Sequence, residues 1–141
     1  MATDLRAIVF QALRADPEIG AAVSDRIIQR ASPPSGVDDQ EPPLAQLETP
    51  YLVYALSDDA PTGPSAMNAS RRYIMVWVHD QPGDYGTFVD PLIHRTKPVM
   101  LAVPQQGKLM EIRWLGNSPD LYDDLLKHIV RYSRFYATLT E

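Results

Sequence analysis

Two stretches of this chain alternate with a period of two yet are apolar at both phases. In "PYLVYALS", Pro50 to Ser57, a strand would carry Tyr51, Val53 and Ala55 on one face and Leu52, Tyr54 and Leu56 on the other. In "RRYIMVWVHD", Arg71 to Asp80, one face holds Tyr73, Met75, Trp77 and His79, and the other holds Ile74, Val76 and Val78. Successive side chains on a strand point to opposite faces, and a sheet with one wet side alternates apolar with polar residues. Strands that are greasy on both sides need cover on both. Helical segments can supply one layer, and the second must come from the chain's own long loops or from another molecule.

The remaining pattern supplies the first layer. Leu5, Ile8, Val9, Ala12 and Leu13 recur at helical spacing and predict an amphipathic helix over residues 3–15, with Arg6, Gln11 and Arg14 on its wet side. Asp16-Pro17 is an N-cap followed by proline at the first helical position, opening a short second helix that runs through Ala21 to Val23. "DRIIQR", Asp25 to Arg30, predicts a short strand. Residues 31–49 hold two Pro-Pro pairs and several acids and read as a long loop, and "DDAPTGPSAMNAS" reads as a second. After Asp80, the residues Phe88, Leu92, Ile93 and Met100 form a helical stripe, but Pro91 and Pro98 predict a broken or kinked helix between Tyr85 and Val103.

The C-terminal third is strand-like. "KLMEIRWLG", Lys108 to Gly116, alternates with Met110, Ile112 and Trp114 inward and Glu111 and Arg113 outward. Ser118 and Pro119 predict at most a short helical turn in "NSPDLYDD". From His128 to Leu139, one face carries Ile129, Arg131, Ser133, Phe135 and Ala137, and the other carries Val130, Tyr132, Arg134 and Tyr136. At about 3.3 Å per residue this strand spans roughly 40 Å, about twice the usual length. It is expected to bend around the sheet or to project towards another chain. Together the elements predict an α+β fold: a mixed, mainly antiparallel sheet of four to five strands with helices packed on one face and long loops, in a single domain over residues 1–141.

Little chemistry shows. With no cysteine, disulfides, thiolate metal sites and cysteine nucleophiles are excluded. His79, His94 and His128 have neither HExxH nor HxH spacing. His79 and Asp80 are strand neighbours and so point to opposite faces. Asp120, Asp123 and Asp124 fit the solvated side of a turn better than a metal cluster. No GxSxG, P-loop or glycine-rich phosphate cradle is present. No catalytic, cofactor or metal residue is therefore assigned. The formal net charge of -5 argues against a general nucleic-acid binder. No apolar run reaches the length of a membrane span, and the N-terminus does not have the pattern of a signal peptide, so the expectation is a protein made in the cytoplasm and not inserted in a membrane.

The aromatic residues point elsewhere. Tyr132 and Tyr136 interleave with Arg131 and Arg134, and Arg71 and Arg72 open the earlier two-faced strand. Tyr, Trp and Arg are the usual anchors of protein interfaces, so these six are candidate interface residues. Two rivals remain open. One is a ligand-binding or enzymatic domain built on His79, Asp80 or the acids from Asp120 to Asp124. The other is a nucleic-acid binder that uses Arg131 and Arg134.

The order of pieces resembles the tail terminator (tail completion) proteins of long-tailed bacteriophages over nearly the whole length. The resemblance is carried by the helix "LRAIVFQALRAD", by "PEIGAAVSDRII" and by the strand "PYLVYALSDD". It continues through "RRYIMVWVHDQPGDYGTFVDPLIHRTKPVMLA" and the closing "EIRWLGNSPDLYDDLLKHIVRYSRFYATL". It departs at Pro91 and Pro98, because the family's helix is usually uninterrupted. The resemblance implies a structural virion subunit of the tail or neck, made in the host cytoplasm. Such subunits form a ring, typically a hexamer, that caps the tail tube protein, ends its polymerisation and faces the head-tail connector proteins. DNA would pass through without sequence-specific binding. The resemblance implies no active site and no cofactor; a lumen that passes DNA should not grip it, and Asp38, Asp39, Glu41, Asp58 and Asp59 are the candidates for an acidic lining. A head-tail connector or head-completion protein is the alternative within the same assembly.

Overall fold

The computed structural model describes residues 4–30, 49–57, 60–61, 69–81, 88–123 and 127–140. Helix α1 runs Leu5–Ala15, with the Asp4 carboxylate accepting from the Ala7 N–H at its start. Helix α2 runs Pro17–Val23, and Asp16 caps it by accepting from the Ile19 N–H. Strand β1 (Ile27–Arg30) pairs in parallel with β2 (Tyr51–Leu56). β2 then pairs antiparallel with β4 (Ala69–Asp80), which also carries the short β3 (Ala60–Pro61). Helix α3 (Val89–Leu101) leads to β5 (Leu109–Asn117), β6 (Leu121–Asp123) and β7 (His128–Thr140). β5 and β6 both pair antiparallel with β7, and β7 with β4.

The sheet has seven strands on a main path β1-β2-β4-β7-β5, with β3 and β6 appended. It is mixed and mainly antiparallel, and the helices pack on one face, as expected of the α+β class. β4, α3 and β5 form a strand–helix–strand crossover with β7 inserted between the two strands. The main core lies between helices and sheet. Leu5, Val9 and Leu13 of α1, Ile19 and Val23 of α2, and Leu92, Ile93 and Met100 of α3 meet Leu52, Ile74, Val76, Val78 and Phe135. Arg95 ties the helices together, pairing with Asp16 and, at 3.4 Å, with Glu18 of α2. Arg95 of α3 reaches the Asp16 carboxylate with contacts of 3.1, 3.0 and 2.6 Å. This bonding holds the Asp16 carboxyl below the usual aspartate range, against the opposing effect of its burial.

Several expectations need correction or narrowing. Helix α3 is unbroken, with Pro98 inside it. Pro91 sits in the first turn, where its missing N–H has no intrahelical partner to lose. Pro98 lies near the C-terminus on the exposed side, so the deprived His94 carbonyl is on the wet face. A two-residue strand, β3, pairs within the expected second loop. "LYD" is a strand and not a helical turn. Ser118 does not cap a helix, because its backbone N–H donates to Tyr132 O and its Oγ accepts from the Tyr132 N–H. Met110 of β5 is 43% exposed, whereas Leu109 and Ile112 are buried; Trp114 shares the helix-facing side with Ile112, opposite Phe135, but is 38% exposed. Two bulges, between Leu109 and Glu111 and between Trp114 and Gly116, break the strict alternation. Of the two expectations for β7, projection is excluded, because from Ile129 to Thr140 every residue has a partner on β4.

Candidate interface on the outer face of the sheet

The side chains of β2, β4 and β7 that point away from the helices form the outer face. Register sets them in rows across the strands. Tyr51, His79 and Val130 form one row, and Val53, Trp77 and Tyr132 the next. Ala55, Met75 and Arg134 follow, and Tyr73 pairs with Tyr136 beyond them. Tyr51, Val53 and Ala55 are buried here, so the β2 side of the face is sealed within the subunit. Along β4 and β7 it is not. Tyr73, Met75, Trp77, Tyr132 and Tyr136 are half-buried, and Arg134 is exposed.

The half-buried residues contact one another as rings and cations. Trp77 and Tyr132 lie 6.4 Å apart between ring centroids. The Arg71 guanidinium stands 4.2 Å from the Tyr136 ring centre, and that of Arg134 stands 5.7 Å from Tyr73. At such distances the guanidinium cation is attracted by the face of the ring. Beside them is a trough of about 300 Å³, lined by Val53, Ala55, Trp77, Val130 and Tyr132 and walled by β6 through Leu121 and Asp123.

One end of the face is closed by a cluster of three rings. Tyr51 stacks on His79 with centroids 4.7 Å apart, and His128 meets both edge-on at 5.7 Å. The Tyr51 hydroxyl lies 3.3 Å from His128 Nδ1. Burial pushes the His128 imidazole below its ordinary pKa, opposed by the nearby charges of Asp123 and Asp80. His79 and Asp80 do point apart. The Asp80 carboxylate accepts from the Gln81 N–H at 2.8 Å and, more weakly, from the Phe88 N–H at 3.4 Å, at the start of α3. Among the described residues, no group of three or more His, Asp or Glu is placed to hold a metal ion.

The six candidate interface residues divide. Arg71, Tyr132, Arg134 and Tyr136 share the outer face. Arg131 and Arg72 lie on the helix side and are used within the fold. Arg131 donates to Ser118 O at 3.0 Å and pairs with Asp90 at 2.8 Å, while Arg72 donates to Ser57 O at 2.9 Å. Asp38, Asp39, Glu41, Asp58, Asp59 and Asp124 lie outside the described residues. The trough and its β6 wall went unnoticed in the sequence. The signal was there in the alternation Leu121-Tyr122-Asp123, but the helix-cap pattern Ser118-Pro119 masked it.

Fold and face together define a small α+β domain with a main core under the helices, a smaller buried cluster of Tyr51 and Val53 with Ile28 and Trp77 packed against it on the outer face, and a partly exposed aromatic–arginine surface beside it. No family model matches the sequence, and no curated protein matches it. In fold, the chain is similar to a chain of the structure described as "Virion of native gene transfer agent (GTA) particle". The TM-score is 0.71, covering 97% of this chain and 95% of that one, at 19% sequence identity. At that identity the likeness is one of fold.

Proposed function

We propose that this chain is a structural protein of a phage-like virion, and specifically a tail terminator: a ring-forming subunit, hexameric by resemblance, that caps the tail tube and joins it to the head. One observation carries the reading, the half-buried aromatic–arginine face along β4 and β7. Its composition suits burial against other proteins, and a closed ring needs two different patches on each subunit. The fold likeness to a virion component and the order of elements shared with tail terminators support the same assignment. The face offers stacking and cation–π contacts but no catalytic constellation, which favours assembly over chemistry. A head-tail connector or head-completion role is the second reading, supported by the same fold likeness.

Purified protein mixed with purified tail tubes and with DNA-filled, tail-less heads separates the two. A terminator decorates one end of the tubes and stops further addition of tube subunits. A connector binds the heads and leaves the tubes alone. Binding to neither, with no ring by native mass spectrometry, would remove both.

A further inference from the structure

We propose that the Arg71–Arg134 end of the outer face receives carboxylates from a second copy of this chain. The proposal rests on the reading above, in which other proteins cover this face, and names what the cover must bring and which molecule brings it. On the outer face the Tyr73–Tyr136 pair is flanked by two rows. Arg71 lies opposite Thr138 on one side of it, and Arg134 lies opposite Met75 on the other. Both arginines lean towards the row between them, Arg71 over Tyr136 at 4.2 Å and Arg134 over Tyr73 at 5.7 Å. Two like charges therefore converge on one cross-strand pair of rings. An aromatic face attracts a cation but does not cancel its charge. Among the described residues, neither Arg71 nor Arg134 has an ion pair or a hydrogen bond, and Arg71 Nε is shut off from water without an acceptor. Arg72 and Arg131, on the opposite face of the same strands, are both bonded within the fold. Arg113 stands beside Tyr136 in the register, and Glu111 is engaged with it at 3.1 Å.

Covering the face takes water from Arg71 and Arg134. A charge buried without a counter-charge is strongly unfavourable, whereas a carboxylate matches the guanidinium fork with two parallel hydrogen bonds. A cover that fits is therefore acidic at this end. The chain itself supplies such a surface. Its formal net charge is -5, and Arg71, Arg113 and Arg134 with Glu111 form a positive patch, so the rest of the chain is more acidic than the whole. The positive patch of one copy and the acidic remainder of the next are different surfaces, as a closing ring requires. The same net charge repels nucleic acid at long range, which favours a protein carboxylate over a phosphate backbone as the occupant.

Arg71→Gln and Arg134→Gln should melt close to the wild type, because neither cation has a carboxylate to lose within the subunit. By native mass spectrometry over a concentration series, the wild type should form rings, and each variant should need at least about tenfold more protein to assemble. Arg134→Lys keeps the charge and adds an amine. Heavy-isotope and ordinary copies of that variant, mixed while dilute and then assembled, should be joined by a carbodiimide through an amide between position 134 of one isotope and an Asp or Glu of the other. Links only between peptides of the same isotope, or Arg→Gln variants that assemble at wild-type concentrations, would overturn the contact and leave the ring reading standing. A single-stranded oligonucleotide bound by the wild type and lost in Arg134→Gln, with self-association unchanged, would give the site to nucleic acid and overturn the proposal. A wild type that stays a single subunit throughout would overturn both.

Discussion

Replacing Leu52 and Tyr132 in turn by alanine separates what holds the subunit from what its outer face is for. Leu52 sits on β2 facing the helices and is fully buried, between Ile27 and Val78 in the register. Truncation removes three carbons, worth about 2.4 kcal/mol at roughly 0.8 kcal/mol each. A residual cavity on the order of 40 Å³ adds about 1 kcal/mol. The expected loss is about 3 kcal/mol, or roughly 10 °C in melting temperature for a chain of this size. Tyr132 is half-buried and touches Trp77 across the strands at 6.4 Å between centroids. Losing that ring pair and a share of burial should cost about 1 to 1.5 kcal/mol. Urea titrations of dilute protein give both values by linear extrapolation, and a sizing column run beside them reads assembly. Leu52→Ala should lower stability and leave the assembly of the folded fraction intact. Tyr132→Ala should take the smaller stability loss and weaken assembly. If Tyr132→Ala costs as much stability as Leu52→Ala, the outer face is a second internal core, and the division between the two faces is wrong.

Three further outcomes follow from particular contacts. His128 has a lowered pKa when folded, so the unfolded chain takes up a proton first as pH falls through about 6.5, and stability should decline from pH 7 towards 5. His128→Gln should flatten that decline in pH-dependent melts, and an unchanged slope would contradict the burial of His128. Asp16 also has a lowered pKa, and its contribution should be present above about pH 4 and lost as pH drops further. Asp16→Asn should lower the melting temperature at neutral pH and weaken the acid sensitivity. Gly116→Ala meets no atom within 4 Å of the added carbon, so any penalty is backbone strain. Urea titration should show a loss of about 1 to 3 kcal/mol, and a neutral result would mean that the bulge adapts.

The helix side of the fold was legible because its signals are local. Asp16 caps α2 as the pattern says, and Leu5, Val9 and Leu13 mark the buried stripe of α1 at helical spacing, although α1 starts after its Asp4 cap and not at residue 3. The two-faced character of β2 and β4 was equally plain from period-two alternation. What the sequence hid was set by partners distant along the chain. Ser118 and Pro119 look like a helix start, but Ser118 is drawn onto β7 by Tyr132 and Arg131. The bulges in β5 shift Met110 and Leu115 out of phase with their neighbours, and only pairing with β7 reveals them. Of the candidate interface residues, alternation correctly set Arg131 apart from Tyr132, Arg134 and Tyr136. It could not show that Arg131 is tied to Asp90 of α3 within the same subunit.

Hydroxyl-radical footprinting, read by mass spectrometry on dilute subunits and on the assembled form, tests most directly whether the β4–β7 face exists to be covered by other proteins. Trp77, Tyr132 and Tyr136 should be oxidised in the free subunit and protected in the assembly, while exposed Phe88, just before α3, serves as a reference. Equal labelling of those three rings in both states would mean that the aromatic face stays in water, and the proposed role in assembly would fall with it.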